Sequence, residues 1–127
     1  MIQIVIKGRP ITKKNHSRIV KAGNGRSYVV PSKEYKVYEE MALWQIHGKG
    51  SGIDVPCNVK CVYYMPTKHR VDLVNLLEAT MDILVTAGVL ADDNSRIVAG
   101  HDGSRVLYDK SNPRVEITIE RMDADAL

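Results

Sequence analysis

Residues 68–100 read KHRVDLVNLLEATMDILVTAGVLADDNSRIVAG, and their pattern organises the rest of the chain. From Leu73 to Ala87 the apolar residues recur at helical spacing, and Gly88 supplies a stop of the left-handed kind. At about 100° per residue, Leu73, Leu76, Leu77, Thr80, Ile83, Leu84 and Ala87 fall in one stripe, expected to be buried. Val74, Met81 and Val85 widen that stripe. The remaining arc carries Asp72, Asn75, Glu78, Asp82 and Thr86. Asp92-Asp93 follow in a short loop, and Arg96–His101 read as a strand.

The stretches on either side supply a sheet and a second helix. Ile2, Ile4 and Ile6 alternate with Gln3, Val5 and Lys7, the period of a half-buried strand. Residues 11–30, ITKKNHSRIVKAGNGRSYVV, read as a basic loop with an irregular hairpin turning at Asn24-Gly25. Ser32 is a candidate N-cap for a helix in which Val37, Met41 and Trp44 recur at helical spacing. Trp44 and the tyrosines are expected in the core, and Gly48 and Gly50 end the helix. From Val55 a strand places Cys57, Val59, Cys61 and Tyr63 on one face, and Pro66 closes it. His101-Asp102-Gly103 is a turn signal of the tight-hairpin type, followed by a short strand at Val106–Tyr108. Val115, Ile117 and Ile119 mark a last strand, after which MDADAL is expected to fray. The order predicts one α+β domain over residues 1–127, a mixed β-sheet packed with two main helices.

Charge is divided along the chain. Residues 1–50 hold ten Lys/Arg against three Asp/Glu, and residues 51–127 hold eight against twelve. A basic half beside an acidic half suits a polyanion-binding surface next to a cation site, although solvated surface would give the same count. The N-terminal MIQIVIKGRP lacks a basic region followed by a long apolar core, which points to a first strand and a cytoplasmic protein. No window approaches the roughly 18 apolar residues of a membrane span. Cys57 and Cys61 lack the further ligands a zinc site needs and read as small core residues.

Bunched carboxylates repel one another unless a cation neutralises them. Mg²⁺ takes oxygen ligands and keeps several waters, so one to three Asp or Glu suffice. Asp72, Glu78, Asp82, Asp92 and Asp93 are therefore candidate ligands, with Mn²⁺ as an alternative ion. Lys13, Lys14, Asn15, Arg18, Lys68, His69 and Arg70 are candidate phosphate contacts. The Asp92–Asn94 run lacks the glycine and terminal Glu of an EF-hand, and no Walker A, GxGxxG, GxSxG or HExxH motif occurs.

Arg70-x-Asp72-Leu73-x-Asn75-Leu76, the helix end Asp82-x-Leu84-x-x-Ala87-Gly88 and Leu90-x-Asp92-Asp93 together resemble the RusA family of Holliday junction resolvases. The match is strongest from Met65 to Val98 and extends weakly to Lys13-Lys14-Asn15. The resemblance implies a small α+β homodimer, often phage- or prophage-encoded, that cuts four-way DNA junctions symmetrically with Mg²⁺. Its acidic positions fall on Asp72, Val74 and Asp93, and a functional Lys position falls on Glu78. Two departures follow: the second motif Asp is Val74, and a carboxylate appears one turn on at Glu78. The expected catalytic set is Asp72, Asp93 and Glu78, with Glu78 replacing the carboxylate that Val74 lacks. The alternative is a branched-DNA-binding module with a degenerate nuclease site.

Overall fold

The computed structural model describes residues 1–13 and 17–123, without the side chains of residues 17, 18, 20, 28, 29 and 31. Expectations for Lys14, Asn15, His16 and residues 124–127 lie outside the described residues. The elements are β1 (Ile2–Lys7), β2 (Ser17–Lys21), β3 (Ser27–Pro31), α1 (Lys33–Ile46), β4 (Cys57–Met65), α2 (Leu73–Thr86), β5 (Val98–Gly100), β6 (Arg105–Tyr108) and β7 (Arg114–Arg121). This is the expected α+β arrangement, a five-stranded mixed sheet with two helices.

β4 is the hub of the sheet. Its alternation buries Cys57, Val59, Cys61, Tyr63 and Met65, while the intervening residues face away from the core. On one side it pairs antiparallel with β7, which in turn pairs antiparallel with β1. On the other side it pairs parallel with β5 and then β6. One sheet face is covered: Tyr38, Ala42 and Ile46 of α1 and Leu76, Met81, Ile83 and Leu84 of α2 join Ile4, Ile6, Val59, Val115, Ile117 and Ile119 in one cluster. β2 and β3 form a separate hairpin, turning through Gly25 at φ 83°, as the Asn-Gly pair predicts.

Both helices start on a capping side chain, that of α1 being the Ser32 expected from sequence. Ser32 Oγ accepts from Tyr35 N at 3.1 Å, and Asp72 Oδ1 accepts from Val74 N at 2.9 Å. Gly88 closes α2 at φ 77°, where a side chain would be strained. A link that the sequence pattern did not reveal joins the two helix exits. Gly52 N donates to Gly88 O, Ile53 N to Val89 O and Ala91 N to Ile53 O.

Three expectations need correction. The stripe Val37, Met41 and Trp44 faces solvent at 56%, 52% and 80% exposure, and α1 packs through Tyr35, Tyr38, Ala42 and Ile46 instead. Both stripes have helical period, so periodicity could not choose between them; the sheet did. Val74 does not widen the buried face of α2, since it is 68% exposed. The Asp102-Gly103 turn does not make a hairpin: β5 and β6 both run parallel to β4, one after the other. The strand simply bulges there. Asn58 Nδ2 donates to Asp102 O and Asn58 Oδ1 accepts from Asp102 N, an amide standing in for the missing strand pairing. His101 Nδ1 lies 2.9 Å from Val59 O, so that nitrogen carries the proton, and Cys61 N donates to Ser104 Oγ.

α2 is fixed to β4 by a polar relay inside the apolar layer. Thr80 Oγ1 donates to Leu76 O at 2.9 Å, so in the 2.7 Å contact with Tyr63 the phenol is the donor. Burial pushes the Tyr63 phenol far above its usual range, which keeps the donor protonated. The two ends of the relay are unequal. A Thr80→Val substitution leaves the buried Tyr63 hydroxyl unsatisfied and is expected to cost about 1–3 kcal/mol. Tyr63→Phe removes one hydrogen bond and is expected to cost about 1 kcal/mol. Urea denaturation of both variants and of the double variant measures the difference; equal losses would show that another group, such as Cys61, partners the phenol when Thr80 is gone.

Candidate active site

Asp72 sits where β4 ends and α2 begins. Residues 66–72 cross from the carboxyl end of β4 to the helix, and Asp109 N donates to Met65 O, setting the end of β6 beside that crossing. Lys68 Nζ lies 5.3 Å from the Tyr108 ring centroid, so the crossing leans on β6. Lys68, His69, Arg70 and Asp72 are all exposed. Thus three cationic or titratable side chains precede the capping carboxylate on one rim of the sheet.

Asp92 and Asp93 occupy the opposite rim. Ala91 is held to Ile53, and Cys57 N, at the start of β4, donates to Ile97 O. The loop is folded by its own side chains. Asp92 accepts from Asp93 N at 2.8 Å and from Asn94 Nδ2 at 3.0 Å, and Asn94 Oδ1 accepts from Arg96 N. These bonds, the backbone one first, hold the Asp92 carboxyl below its usual range. Asp92 is thereby engaged in shaping the loop, and Asp93 follows it, exposed.

The 14 residues of α2 span about 21 Å, so Asp72 and Asp93 stand at the two ends of a helix. Among the described residues no group of three or more His, Cys, Asp or Glu is placed to hold a metal. Val74, Glu78 and Asp82 recur every fourth residue, forming one row along α2. Val74 and Glu78 are exposed, whereas Asp82 is half-buried and bridged to Lys13 Nζ at 3.1 Å. Lys13 also lies 5.9 Å from the Tyr35 ring centroid. Lys13 and Asp82, assigned from sequence to phosphate and metal, are thus paired with each other across α1 and α2. That pairing carried no sequence signal, because the partners are 69 residues apart. Lys14 and Asn15 lie outside the described residues, and Arg18 is described only as backbone of β2.

A second group of charged side chains, not anticipated from sequence, lies at the rim that bears Asp72. Arg114 bonds Asp109 Oδ2 at 3.0 Å and Glu116 Oε2 at 2.8 Å, and its guanidinium stacks 3.8 Å from the Tyr64 ring centroid. Asp109 also accepts from Ser111 N and Asn112 N. The Arg114 bond, first among these, lowers the Asp109 carboxyl. Residues 109–113, Asp-Lys-Ser-Asn-Pro, have turn composition, but nothing in the sequence marks the cross-strand arginine that binds them.

Carboxylates and clustered cations on one small α+β scaffold are the equipment of an enzyme that works on a polyanion. The comparisons give the class: a family model described as endodeoxyribonuclease RusA matches residues 7–120. The chain belongs to the RusA family and is an endodeoxyribonuclease. It is similar to the crossover junction endodeoxyribonuclease RusA of Aquifex aeolicus (strain VF5), 26% identical over 95 residues, covering 73% of this chain and 72% of that protein.

The acidic pH response follows from Asp92 and Asp109. Both have folded values below the usual carboxylate range, so their stabilisation is present above about pH 4 and lost as pH falls through the folded values. Stability measured by urea midpoint should therefore drop below about pH 4, and Asp92→Asn should make that drop shallower. An unchanged acid slope in Asp92→Asn would show that the loop bonds do not act through ionisation.

Proposed function

We propose that residues 1–127 form one RusA-type domain that cuts four-way or other branched DNA junctions as a homodimer, using Mg²⁺ or Mn²⁺. The observation that carries this reading is the family match over 7–120 combined with Asp72, an exposed carboxylate fixed at a helix start behind Lys68, His69 and Arg70. Asp72 and Asp93 are the carboxylates that would hold the metal, with Glu78 and, as lesser contributors, Asp92 and Asp82. In one chain Asp72 and Asp93 stand at opposite ends of α2, about 21 Å apart, so both would meet one metal only where a second copy brings its Asp93 to Asp72. All five offer oxygen only, which suits a hard divalent cation. The metal, when bound, would supply an activated water and neutralise charge developing on the scissile phosphate.

The chain's own residues do the rest. Lys68, His69 and Arg70 meet the phosphate backbone beside Asp72, and Lys13, Lys14, Asn15 and Arg18 extend the contact. Two strand cuts placed symmetrically call for two copies related by a twofold, matching the twofold of the junction. No helix among the described residues is long and apolar enough to cross a membrane. The competing reading, a junction-binding module that does not cut, is favoured by one observation: two residues after Asp72 the chain has Val74 where the motif implied by the resemblance has Asp.

Val74 makes the two readings separable. It is 68% exposed, so nothing in the core requires valine there. Asn caps a helix as well as Asp does, so Asp72→Asn preserves α2 while removing the charge. The test is cleavage of a mobile four-way junction with Mg²⁺. Wild type should nick, and Asp72→Asn and Asp93→Asn should lose at least about 100-fold, on the order of 2.7 kcal/mol of barrier. Glu78→Gln should also fall, and Val74→Asp should rise or hold. Junction binding without nicking by wild type, with nicking gained in Val74→Asp, would establish the non-cutting module instead.

A further inference from the structure

The two edges of the five-stranded sheet are finished differently. At the β1 edge, Gln45 of α1 stands in as a neighbouring strand: Lys7 N donates to Gln45 Oε1 at 2.7 Å and Gln45 Nε2 donates to Lys7 O at 3.0 Å. At the other edge no described strand pairs β6 on its outer side, and all four of its residues are exposed. Edge strands are usually protected by charge, proline or a covering element. β6 reads Arg-Val-Leu-Tyr, with Val106, Leu107 and Tyr108 at 36%, 43% and 46% exposure.

The direction of its free backbone groups can be worked out. Asp109 N donates inward to Met65 O. Successive residues of a strand turn their N–H and C=O to opposite sides, so 105, 107 and 109 face β4, and Val106 and Tyr108 face out. We infer that β6 is a dimer interface, pairing antiparallel with β6 of a second copy of this chain across a twofold at Leu107. In that register Val106 lies opposite Tyr108 of the second copy and exchanges both backbone bonds with it. The twofold doubles this to four bonds. Leu107 meets Leu107 as a non-hydrogen-bonded pair, and Arg105 lies opposite Asp109.

The sequence fits its own reversed copy. Aliphatic faces aromatic, leucine faces leucine, and a cation faces an anion, all favourable cross-strand pairs. The occupant is therefore a second copy and not an unrelated strand: the segment matches its own reversed copy at every pair, with Arg105 joining Arg114 at the Asp109 carboxylate. The inference deepens the homodimer part of the proposed function by giving it a surface. It does not depend on metal or cleavage.

The test is done without DNA or metal, so its failure is distinct from failure of the nuclease reading. Wild type should sediment at about twice the 14.2 kDa chain mass. Val106→Pro removes only an outward N–H, twice per dimer, and should weaken dimerisation at least about 30-fold while the fold persists. Leu107→Glu sets two carboxylates face to face and should give monomer. Leu107→Cys should form an intermolecular disulfide under mild oxidation, since the paired Cα atoms would be about 4.5 Å apart. The native Cys57 and Cys61 are buried and give no background. Trp44→Cys, on the exposed stripe of α1, should not cross-link. A monomeric wild type at about 100 µM, near dissociation constants typical of weak association, would overturn the inference. So would a dimer indifferent to Leu107→Glu, or cross-linking through Trp44→Cys in place of Leu107→Cys.

Discussion

Everything in this fold is positioned by the two-sided pairing of β4. One flank holds β7 antiparallel and the other holds β5 and β6 parallel, so β4 is saturated with backbone bonds along most of its length. Its alternation then presents a single apolar face to both helices. The consequence for the site is directional. Because β4 leads into α2, the start of α2 lies at the carboxyl end of β4, and its end lies beside the start of β4. The Tyr63–Thr80 contact locks that placement inside an otherwise apolar layer. A polar pair is costly to bury unless satisfied, and here each hydroxyl has a partner, so the pair fixes where along β4 the helix can rest.

The sequence was most readable where one periodicity had one meaning. α2 has a single apolar stripe and a polar arc, and its glycine stop stands where the pattern put it. α1 was ambiguous because it is apolar on two sides. The pattern Val37, Met41, Trp44 is as regular as Tyr35, Tyr38, Ala42, Ile46, and only the sheet distinguishes them. The Asp-Gly pair at 102–103 was misleading for another reason. Gly103 does take φ 86°, as a tight turn requires, but the turn serves a bulge in one edge strand and not a reversal. Turn chemistry reports a local bend and says nothing about which strand comes next to which.

Site residues divide by the same logic. Asp72 was legible because motif and cap coincide at one position. Lys13 and Asp82 were legible as charges but not as partners, because the segment after β1 meets α2 only in the folded chain. The Arg114 network was not legible, since it joins Asp109, Glu116 and Tyr64 through the register of β4 and β7. Such surface ion pairs add little stability singly. Their effect here is to hold an arginine over a tyrosine beside the rim that carries Asp72.

The departure at Val74 can be argued further from charge. The motif implied by the resemblance has two carboxylates and a lysine at positions 72, 74 and 78, whereas this chain has Asp, Val and Glu. Restoring Asp at 74 would set a carboxylate one turn from Glu78, at i and i+4, where like charges repel. The two departures fit one another: with Glu78 in place, a carboxylate at 74 would add repulsion along that row, and an exposed valine does not. Fold stability does not favour valine at 74, because an exposed β-branched residue gains nothing from packing and a carboxylate in the first turn would interact well with the helix dipole. What favours it is the company of Asp72 and Glu78. Against that motif the chain keeps the capping carboxylate at 72 and carries its second one at 78, a turn further along α2 than position 74.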